Sequence, residues 1–335
     1  MSDKQGLWRR WEALLAHKEP AHGLAVLRIG MGVVLLQELL SVTFSGVVPM
    51  LWMHVDDGGY RAYTVTGAWL VDALGGPTPV LIWTLVSLGL LAGVALVLGV
   101  GARLAAFVGL QAFQALAWTN GHAGGSYDPL ITNLLWLMVL ADGSATGSLR
   151  AKLKTGRWWP DTPGSAWPRY LVVGQMVALY TSTGLQKVSA SWVPGGDLSA
   201  LYYILQQPSW HRFDLSWAAW IYPVTQLLTL LTWVFEVGAP VLIFAMWARA
   251  TRSSAGPLRR LSNRIDIRAW WLGFGALMHV GIFLSMQVGS FSIACLATYA
   301  CFFHADEIKA AARGVASRLG RPAASPPETT SPPAG

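Results

Sequence analysis

Residues 270–304 read WWLGFGALMHVGIFLSMQVGSFSIACLATYACFFH, an apolar stretch without a single Lys, Arg, Asp or Glu. As one helix this stretch would be about 52 Å long, whereas the hydrocarbon core of a bilayer is about 30 Å thick. A single membrane-spanning helix of that length would extend far beyond the hydrocarbon core. The stretch therefore predicts two short membrane-spanning helices, with a break near Gly289 and Ser290.

Six further apolar runs precede this stretch, and each is long enough to suggest a membrane span. They cover residues 23–45, 79–100, 104–119, 128–142, 168–187 and 221–247. Hydrophobic residues make up 53% of the 335 residues and charged residues only 12%, about half the charged share of soluble domains. We therefore expect an all-α, multi-pass helical bundle of about eight transmembrane helices in a cell membrane, with the lipid bilayer as its surroundings.

The formal net charge of +7 comes from short basic blocks beside the apolar runs. With the N-terminus in the cytoplasm, most of the 24 Lys and Arg residues fall in cytoplasmic segments, as the positive-inside rule requires. An odd number of spans would move the basic C-terminal tail outside. The charge pattern thus predicts that both termini are cytoplasmic. It fits anionic lipid better than nucleic acid, which we do not expect as a partner. It leaves the oligomeric state open.

Three segments follow from these patterns. We predict an amphipathic interfacial helix over residues 1–22, a transmembrane domain over 23–305, and a cytoplasmic tail over 306–335 that is first basic and then disordered. The apolar residues of the first segment share one helical face: Leu7, Trp8, Trp11, Leu14 and Leu15. Cys295 and Cys301 lie about 9 Å apart along one helix, which predicts no disulfide. The first apolar run is too long for a cleavable signal peptide.

Five ionisable side chains fall inside the predicted spans: Arg28, Glu38, Lys187, Glu236 and His279. Such groups are costly in a bilayer and are usually paired or functional. Counting along the helices predicts a structural pair between Arg28 and Glu236, with snorkelling of Arg28 as the alternative. Glu38 and Lys187 fall nearer the outer surface, where they could pair or Lys187 could snorkel. A lone buried His279 is more often a hydrogen-bonded core residue than a ligand.

The loop after the third span, WTNGHAGGSYDP at 118–129, is rich in glycine and polar residues. Its simplest explanation is a tight, capped turn that starts the next helix. It also puts polar groups on the same membrane face as Lys187. These groups are Asn120, His122 and Asp128, with Gln287 near the outer end of the seventh span. We predict that they converge on an outward-facing site. The sequence shows no metal, nucleotide-binding or serine-hydrolase motif.

The segment YTSTGLQK at 180–187, followed by Trp192 and by GDLSALYY at 196–203, resembles a signature of the HTTM family. That family is named for the membrane domain of vitamin K-dependent γ-glutamyl carboxylase. Shorter matches flank the signature: LAVLRIG at 24–30, FEVGAP at 235–240, HVGI at 279–282 and GSFS at 289–292. The resemblance extends over residues 22–305, and its specificity lies in the order and spacing of the pieces.

The resemblance implies a role for three residues. It identifies Lys187 with the carboxylase lysine proposed to deprotonate vitamin K hydroquinone, which starts the oxygenation that leads to γ-proton abstraction from glutamate. His279 matches a family histidine, and His122 is the nearest candidate for a functional histidine at the start of the fourth span. The implied cofactor is menaquinol or vitamin K hydroquinone, with no metal. A base at Lys187 requires a neutral amine, which desolvation favours.

Two departures from the carboxylase redirect the functional hypothesis. The chain lacks a counterpart of the large lumenal domain, and Gln186 stands where the carboxylase has the first lysine of a pair. The sequence is more similar to the bacterial branch that includes the B component of the sporulation-delaying toxin maturation system. That likeness implies a role in producing a secreted peptide or its precursor.

Three hypotheses remain open. The first is a quinol-dependent or peptide-modifying site with Lys187, His122 and His279 as catalytic residues. Its substrate-binding residues would be Asp128, Asn120, Trp192, Gln287 and Glu38. The second is a non-catalytic accessory or immunity-type partner of a peptide-export system. The third is a transporter, for which the sequence lacks convincing internal repeats.

Overall fold

The computed structural model describes residues 6–60, 68–253 and 256–318, and 71% of these are helical. The α-helices are α1 (Leu7–Ala16), α2 (His22–Phe44), α3 (Val48–Trp52), α4 (Trp69–Ala73), α5 (Pro79–Leu98), α6 (Ala102–Thr119), α7 (Asp128–Leu140), α8 (Leu149–Thr155), α9 (Trp167–Gln186), α10 (Ala200–Gln206), α11 (Tyr222–Val237), α12 (Val241–Ala250), α13 (Pro257–Ile265), α14 (Ile267–Ser285), α15 (Phe291–Tyr299) and α16 (Ala305–Arg318). Short 3-10 helices cover Val55–Asp57, Ser216–Ile221 and Ala300–Phe302. Two strands, β1 (Lys18–Pro20) and β2 (Pro163–Ser165), pair antiparallel. The prediction of an all-α fold is confirmed.

By length and apolar composition, four helical segments of the described chain could cross a membrane: α2, α5, the continuous stretch Ser216–Val237, and α14. Three more apolar helices are shorter, namely α7, α12 and the stretch Phe291–Phe302. The helices α6 and α9 are long enough, but polar residues reduce their mean hydropathy. These features indicate a membrane protein with four candidate spans, which is fewer than the eight predicted.

The predicted break in the last apolar stretch is confirmed. The helix α14 ends at Ser285 and α15 begins at Phe291, with Gly289 at a φ of +55° between them. Glycine adopts this left-handed conformation without a steric penalty. The run over 221–247 was predicted as one helix, and this is wrong. The regular α-helical hydrogen bonding is interrupted between α11 and α12, where Pro240 has no N–H to donate and the N–H groups of Val241 and Leu242 bond three residues back.

Ion pairs tie distant parts of the chain together at one end of the bundle, here called the basic end. Arg169 at the start of α9 pairs with Glu19 in β1, and Arg268 at the start of α14 pairs with Glu307 in α16. The exposed helices α8 and α13 carry several Lys and Arg residues at this end. The basic end therefore collects the segments for which the charge pattern predicted a common side of the membrane.

Hydrogen bonds to main-chain carbonyls join the loops at the opposite end. The side-chain amide of Asn120 donates to the Leu51 carbonyl over 2.9 Å. The Gln287 N–H donates to the Trp210 carbonyl over 2.6 Å, and the Arg212 N–H donates to the Ser285 carbonyl over 3.0 Å. These contacts fix the loop after α10 on the break between α14 and α15.

The two terminal segments differ in part from their predicted form. Within the predicted helix over 1–22, the described chain forms the helix α1 and then the strand β1, and α2 begins at His22. Trp8 and Trp11 of α1 are 70% and 52% exposed. The predicted tail over 306–335 begins as the helix α16, and its predicted disordered part lies outside the described residues.

Glycine permits a close helix contact in the bundle core, between α2 and α5. A Cβ atom on Gly32 would lie 2.7 Å from the Gly93 carbonyl oxygen and 2.8 Å from the Val97 nitrogen, both backbone atoms that cannot rotate away. We expect Gly32→Val to lower the free energy of unfolding by about 1 to 3 kcal/mol, because the helices must separate. Thermal unfolding in detergent measures this.

Gly174 in α9 is the matched control for this substitution. A Cβ atom there would meet no atom within 4 Å, and the position is helical and exposed. Gly174→Val should leave stability unchanged or raise it by up to about 0.5 kcal/mol, since valine is a better helix former than glycine. Equal losses in both variants would contradict the close-packing explanation.

Candidate functional site

Lys187 lies immediately after α9 and forms an ion pair with Glu236 near the end of α11. The Lys187 side chain is 20% exposed and that of Glu236 is 11% exposed. Gly184 allows the close approach that the ion pair requires, because a Cβ atom there would lie only 2.8 Å from both the Glu236 Cβ and the Val237 nitrogen. The glycine of the YTSTGLQK segment thus lets α9 and α11 approach until the two charges meet.

Trp192 completes this group, and its ring faces the lysine. The Lys187 Nζ lies 4.8 Å from the centroid of the Trp192 ring, within the range of a cation–π interaction. The loop is held on α11 by a hydrogen bond from the Gln226 amide to the Asp197 carbonyl, 2.6 Å long. The structure therefore brings together the predicted residues Lys187 and Trp192. The ion-pair partner of Lys187 is Glu236, which the sequence analysis had paired with Arg28.

His279 belongs to a second, fully buried group beneath the first. Its Nε2 lies 2.8 Å from the Tyr180 hydroxyl, which is in turn 2.9 Å from the Tyr299 hydroxyl. His279 is 0% exposed and Tyr180 is 2% exposed. Phe235 packs edge-on against Tyr180 at 4.9 Å, next in sequence to Glu236. The prediction of a hydrogen-bonded core histidine agrees with this geometry, whereas a catalytic role at His279 would require a path to a substrate.

Glu38 forms a third group at the end of the bundle opposite the basic end. One of its carboxylate oxygens accepts a hydrogen bond from the Ser290 N–H, 2.6 Å long, at the start of α15. The Ser290 hydroxyl donates to the side-chain oxygen of Gln37 over 2.8 Å. Burial and the neighbouring Glu38 carboxylate raise the pKa of the Tyr127 phenol. Glu38 thus fastens α2 to the break before α15 instead of pairing with Lys187.

The remaining residues predicted for the outward-facing site serve local structure. Asp128 accepts a hydrogen bond from the Gly125 N–H, 3.1 Å long, and begins α7. Asn120 binds the Leu51 carbonyl and accepts the N–H of His122, whose side chain is exposed. Gln287 is exposed and is joined to the chain through its backbone. Within the described residues Lys187 makes its side-chain contacts with Glu236 and Trp192, so the convergence of these groups on Lys187 stays a prediction.

The predicted pair between Arg28 and Glu236 is also wrong. The fully buried guanidinium of Arg28 donates to four main-chain carbonyls, at 2.6 Å to Leu96, 3.5 Å to Val97, 3.0 Å to Gly143 and 2.5 Å to Gly147. Arg28 therefore joins α2 to the end of α5 and to the turn after α7. Spacing along each helix indicated a similar depth for Arg28 and Glu236, but it could not show that different helices flank them.

Several residues of these groups escaped the sequence-based reasoning. Tyr180, Tyr299 and Tyr127 were not singled out, because a tyrosine in an apolar run is usually part of the core or of an interfacial belt. One signal was present for Tyr180, which precedes Lys187 by two helical turns within the same quoted motif. Tyr299 and Tyr127 give no such signal, since their partners lie on other helices.

Comparisons of the chain with protein-family models, with curated proteins and with solved structures find no match. The likeness to the HTTM family therefore rests on the sequence motifs quoted above. The geometry of Lys187, Glu236 and Trp192 has to be judged on its own chemistry.

Proposed function

We propose that the chain crosses the cell membrane eight times, with the basic end in the cytoplasm. The proposal is supported by the four candidate spans of the described chain together with its shorter apolar helices. The eight proposed passages are α2, α5, α6, α7, α9, α11 with α12, α14, and α15. Large apolar side chains on their outer surfaces, such as Leu91, Leu104 and Leu277, are 66%, 68% and 74% exposed. A hydrocarbon environment would cover these side chains.

We further propose that Lys187, Glu236 and Trp192 form a site for a lipid-soluble quinol, used to modify a secreted peptide or its precursor on the outer side of the membrane. The observation that carries this proposal is the ion pair of Lys187 and Glu236 against the Trp192 ring. A partly buried amine beside a carboxylate can exchange a proton with it over one hydrogen bond. The two groups together are able to take up a proton from a phenolic hydroxyl.

The surroundings of the site suit an apolar ligand that arrives through the bilayer. Leu185 and Val188, on either side of the Lys187 position, are 61% and 78% exposed. The Trp192 ring is partly buried and offers an aromatic face next to the amine. A quinol ring could stack on such a face while its hydroxyl approaches Lys187. These features fit menaquinol or vitamin K hydroquinone, which would supply reducing power when bound.

The residues of the chain would then have distinct roles. Glu236 would first take the ammonium proton of Lys187, so that the neutral amine could then accept the proton of the quinol hydroxyl and leave a quinolate anion; Glu236 would pass its own proton onward. Trp192 would hold the ring and exclude water from the amine. His122 is exposed at the end where a peptide would arrive, but no contact within the described chain connects it with Lys187.

A non-catalytic accessory or immunity-type partner is the second candidate function, and one observation favours it. The charges of Lys187 and Glu236 satisfy each other, and His279 is fully enclosed by Tyr180 and its neighbours. A satisfied ion pair and an enclosed histidine bonded to a tyrosine can both serve stability alone. In that case the loop after α9 would be a surface for a protein of the peptide-export machinery.

Mass spectrometry of small molecules extracted from the purified protein distinguishes the two functions. We expect the wild-type protein to retain a quinone or its epoxide, and Lys187→Ala to retain at least tenfold less. The loss follows because the substitution removes the amine and, with it, the positive charge beside the Trp192 ring. Glu236→Gln should lose a similar amount, since the amine is then no longer held beside Trp192.

Lys309→Ala is the matched control, because Lys309 forms an ion pair with Asp161 at the basic end. It removes one lysine and breaks one ion pair without touching the proposed site, so its quinone content should equal that of the wild type. Thermal unfolding of each variant confirms that it is folded. Equal quinone in the wild type and Lys187→Ala, or none in the wild type, would move the assignment to the non-catalytic partner.

A further inference from the structure

The short helix α13 turns polar residues toward the protein and apolar residues outward. Its buried side is polar, with Ser262 enclosed and the Asn263 amide donating to the Ala248 carbonyl over 2.8 Å. Its outer side carries Leu258, Leu261 and Ile265, which are 69%, 53% and 45% exposed. A helix in water places its apolar residues inward. The outer side of α13 therefore needs an apolar environment that the described chain does not supply.

Two arginines run along the edge of this apolar stripe. Arg260 and Arg264 are both exposed and lie four residues apart, so they project from the same helical face beside Leu261. The planar guanidinium group binds phosphate oxygens through paired N–H donors. A ligand that satisfies both features must combine an apolar body with an anionic phosphate.

The same combination recurs on α1, which is also at the basic end. Trp8 and Trp11 are exposed beside Arg9, and the chain joins the basic end through the hydrogen bond from the Ala166 N–H to the His17 carbonyl, 3.0 Å long. Two separate helices thus present an apolar stripe edged by arginine at one end of the bundle. Helices of this kind lie in the headgroup layer of a membrane.

We propose that the outer face of α13, made of Leu258, Arg260, Leu261, Arg264 and Ile265, binds anionic phospholipids of the leaflet at the basic end. The three apolar side chains enter the acyl boundary, and the two arginines hold the phosphate groups. This interaction is independent of the site at Lys187, and its strength depends on the lipid composition of one leaflet. It would fix the start of α14, which follows α13 directly.

Native mass spectrometry of the full chain in detergent tests the proposal, with dioleoyl phosphatidylglycerol and dioleoyl phosphatidylcholine as probes of equal chain length. We expect the wild-type protein to bind phosphatidylglycerol in preference to phosphatidylcholine. Each basic residue near an anionic membrane contributes a factor of about five in affinity. The preference should therefore fall by about 25-fold in Arg260→Gln/Arg264→Gln, and by more in Arg260→Glu/Arg264→Glu.

The control replaces two other exposed arginines at the same end, Arg313 and Arg318 of α16, by Glu. This variant changes the net charge by the same amount as the α13 double Glu variant, and it should keep most of the preference. The proposal is overturned if the α13 variants retain the wild-type preference, or if the α16 variant loses as much. A dimer that excludes lipid and dissociates in the α13 variants would identify a second copy of the chain as the occupant instead.

Discussion

Replacement of Arg28 by Ala should lower the free energy of unfolding by about 3 to 5 kcal/mol. The guanidinium is 0% exposed and is the hydrogen-bond donor for the carbonyls of Leu96, Gly143 and Gly147. Alanine would leave these carbonyls buried without that donor and would open a cavity between α2, α5 and the turn after α7. Denaturant or thermal unfolding of the purified protein in detergent measures the loss, and low expression should accompany it.

Two control variants separate this explanation from a charge pair. Arg28→Lys keeps the charge but not the planar group, so it can reach fewer of the carbonyls and should recover only part of the stability. The exchange Arg28→Glu/Glu236→Arg should not recover stability, because the two side chains have different neighbours. Wild-type stability in Arg28→Ala, or full recovery in the exchange variant, would contradict the carbonyl arrangement.

Much of the helical architecture could be predicted because hydrophobic length and helix-breaking residues act locally. The apolar stretch at 270–304 exceeds one bilayer thickness, and the structure interrupts it at Gly289, close to the predicted point. The same reasoning missed the interruption before Val241. Pro240 was present in the sequence, but the run over 221–247 is short enough for one tilted span, so length gave no reason to divide it.

Lateral packing could not be predicted, since residue counting gives the position along a helix but not the neighbouring helix. This is why Arg28 and Glu236 were wrongly paired. The actual partner of Glu236 depends on the contact between α9 and α11 at Gly184, a position whose meaning emerges only when both helices are in place. Small residues mark such contacts in membranes, although they do not say which helix makes them.

In the candidate site, too, contacts between residues close in the chain could be predicted, whereas contacts between different helices could not. The motif around Lys187 predicted that residue and Trp192, which lie close in the chain and meet in the structure. The buried hydrogen bonds of His279 require α9, α14 and α15 together, and no sequence spacing connects Tyr180 with Tyr299. The loop residues Asn120 and Asp128 lie at the same end of the bundle as Glu38, and their hydrogen bonds serve the loop and the start of α7.

Replacement of Glu307 by Ala should cost about 3 to 5 kcal/mol in the free energy of unfolding. Glu307 accepts two hydrogen bonds from Arg268, at 3.0 and 2.6 Å, and pairs with Arg249 at 3.0 Å. The Arg268 side chain is only 2% exposed, so the substitution leaves a buried cation without its main carboxylate. The helices α12, α14 and α16 would lose their common anchor at the basic end.

Asp306→Asn is the control for Glu307, because Asp306 is the neighbouring acidic residue in the first turn of α16 and is exposed. Its loss should change stability by less than about 0.5 kcal/mol. Unfolding in detergent at neutral pH compares the two variants directly. A similar loss in both would mean that the charge of the helix start matters, and not the contact with Arg268.

The contribution of Glu307 should also disappear in acid. Burial alone would raise the pKa of its carboxyl, but the hydrogen bonds from Arg268 and the His304 N–H, with the charge of Arg249, lower that pKa from 4.5 to about 2. A depressed folded pKa gives stability that is complete above the unfolded pKa and is lost as the pH falls through the folded one. The difference in stability between the wild type and Glu307→Gln, about 3 kcal/mol, should therefore hold above about pH 5 and shrink towards zero near pH 2. A difference that stays constant over this range would show that Glu307 acts by packing and not by charge.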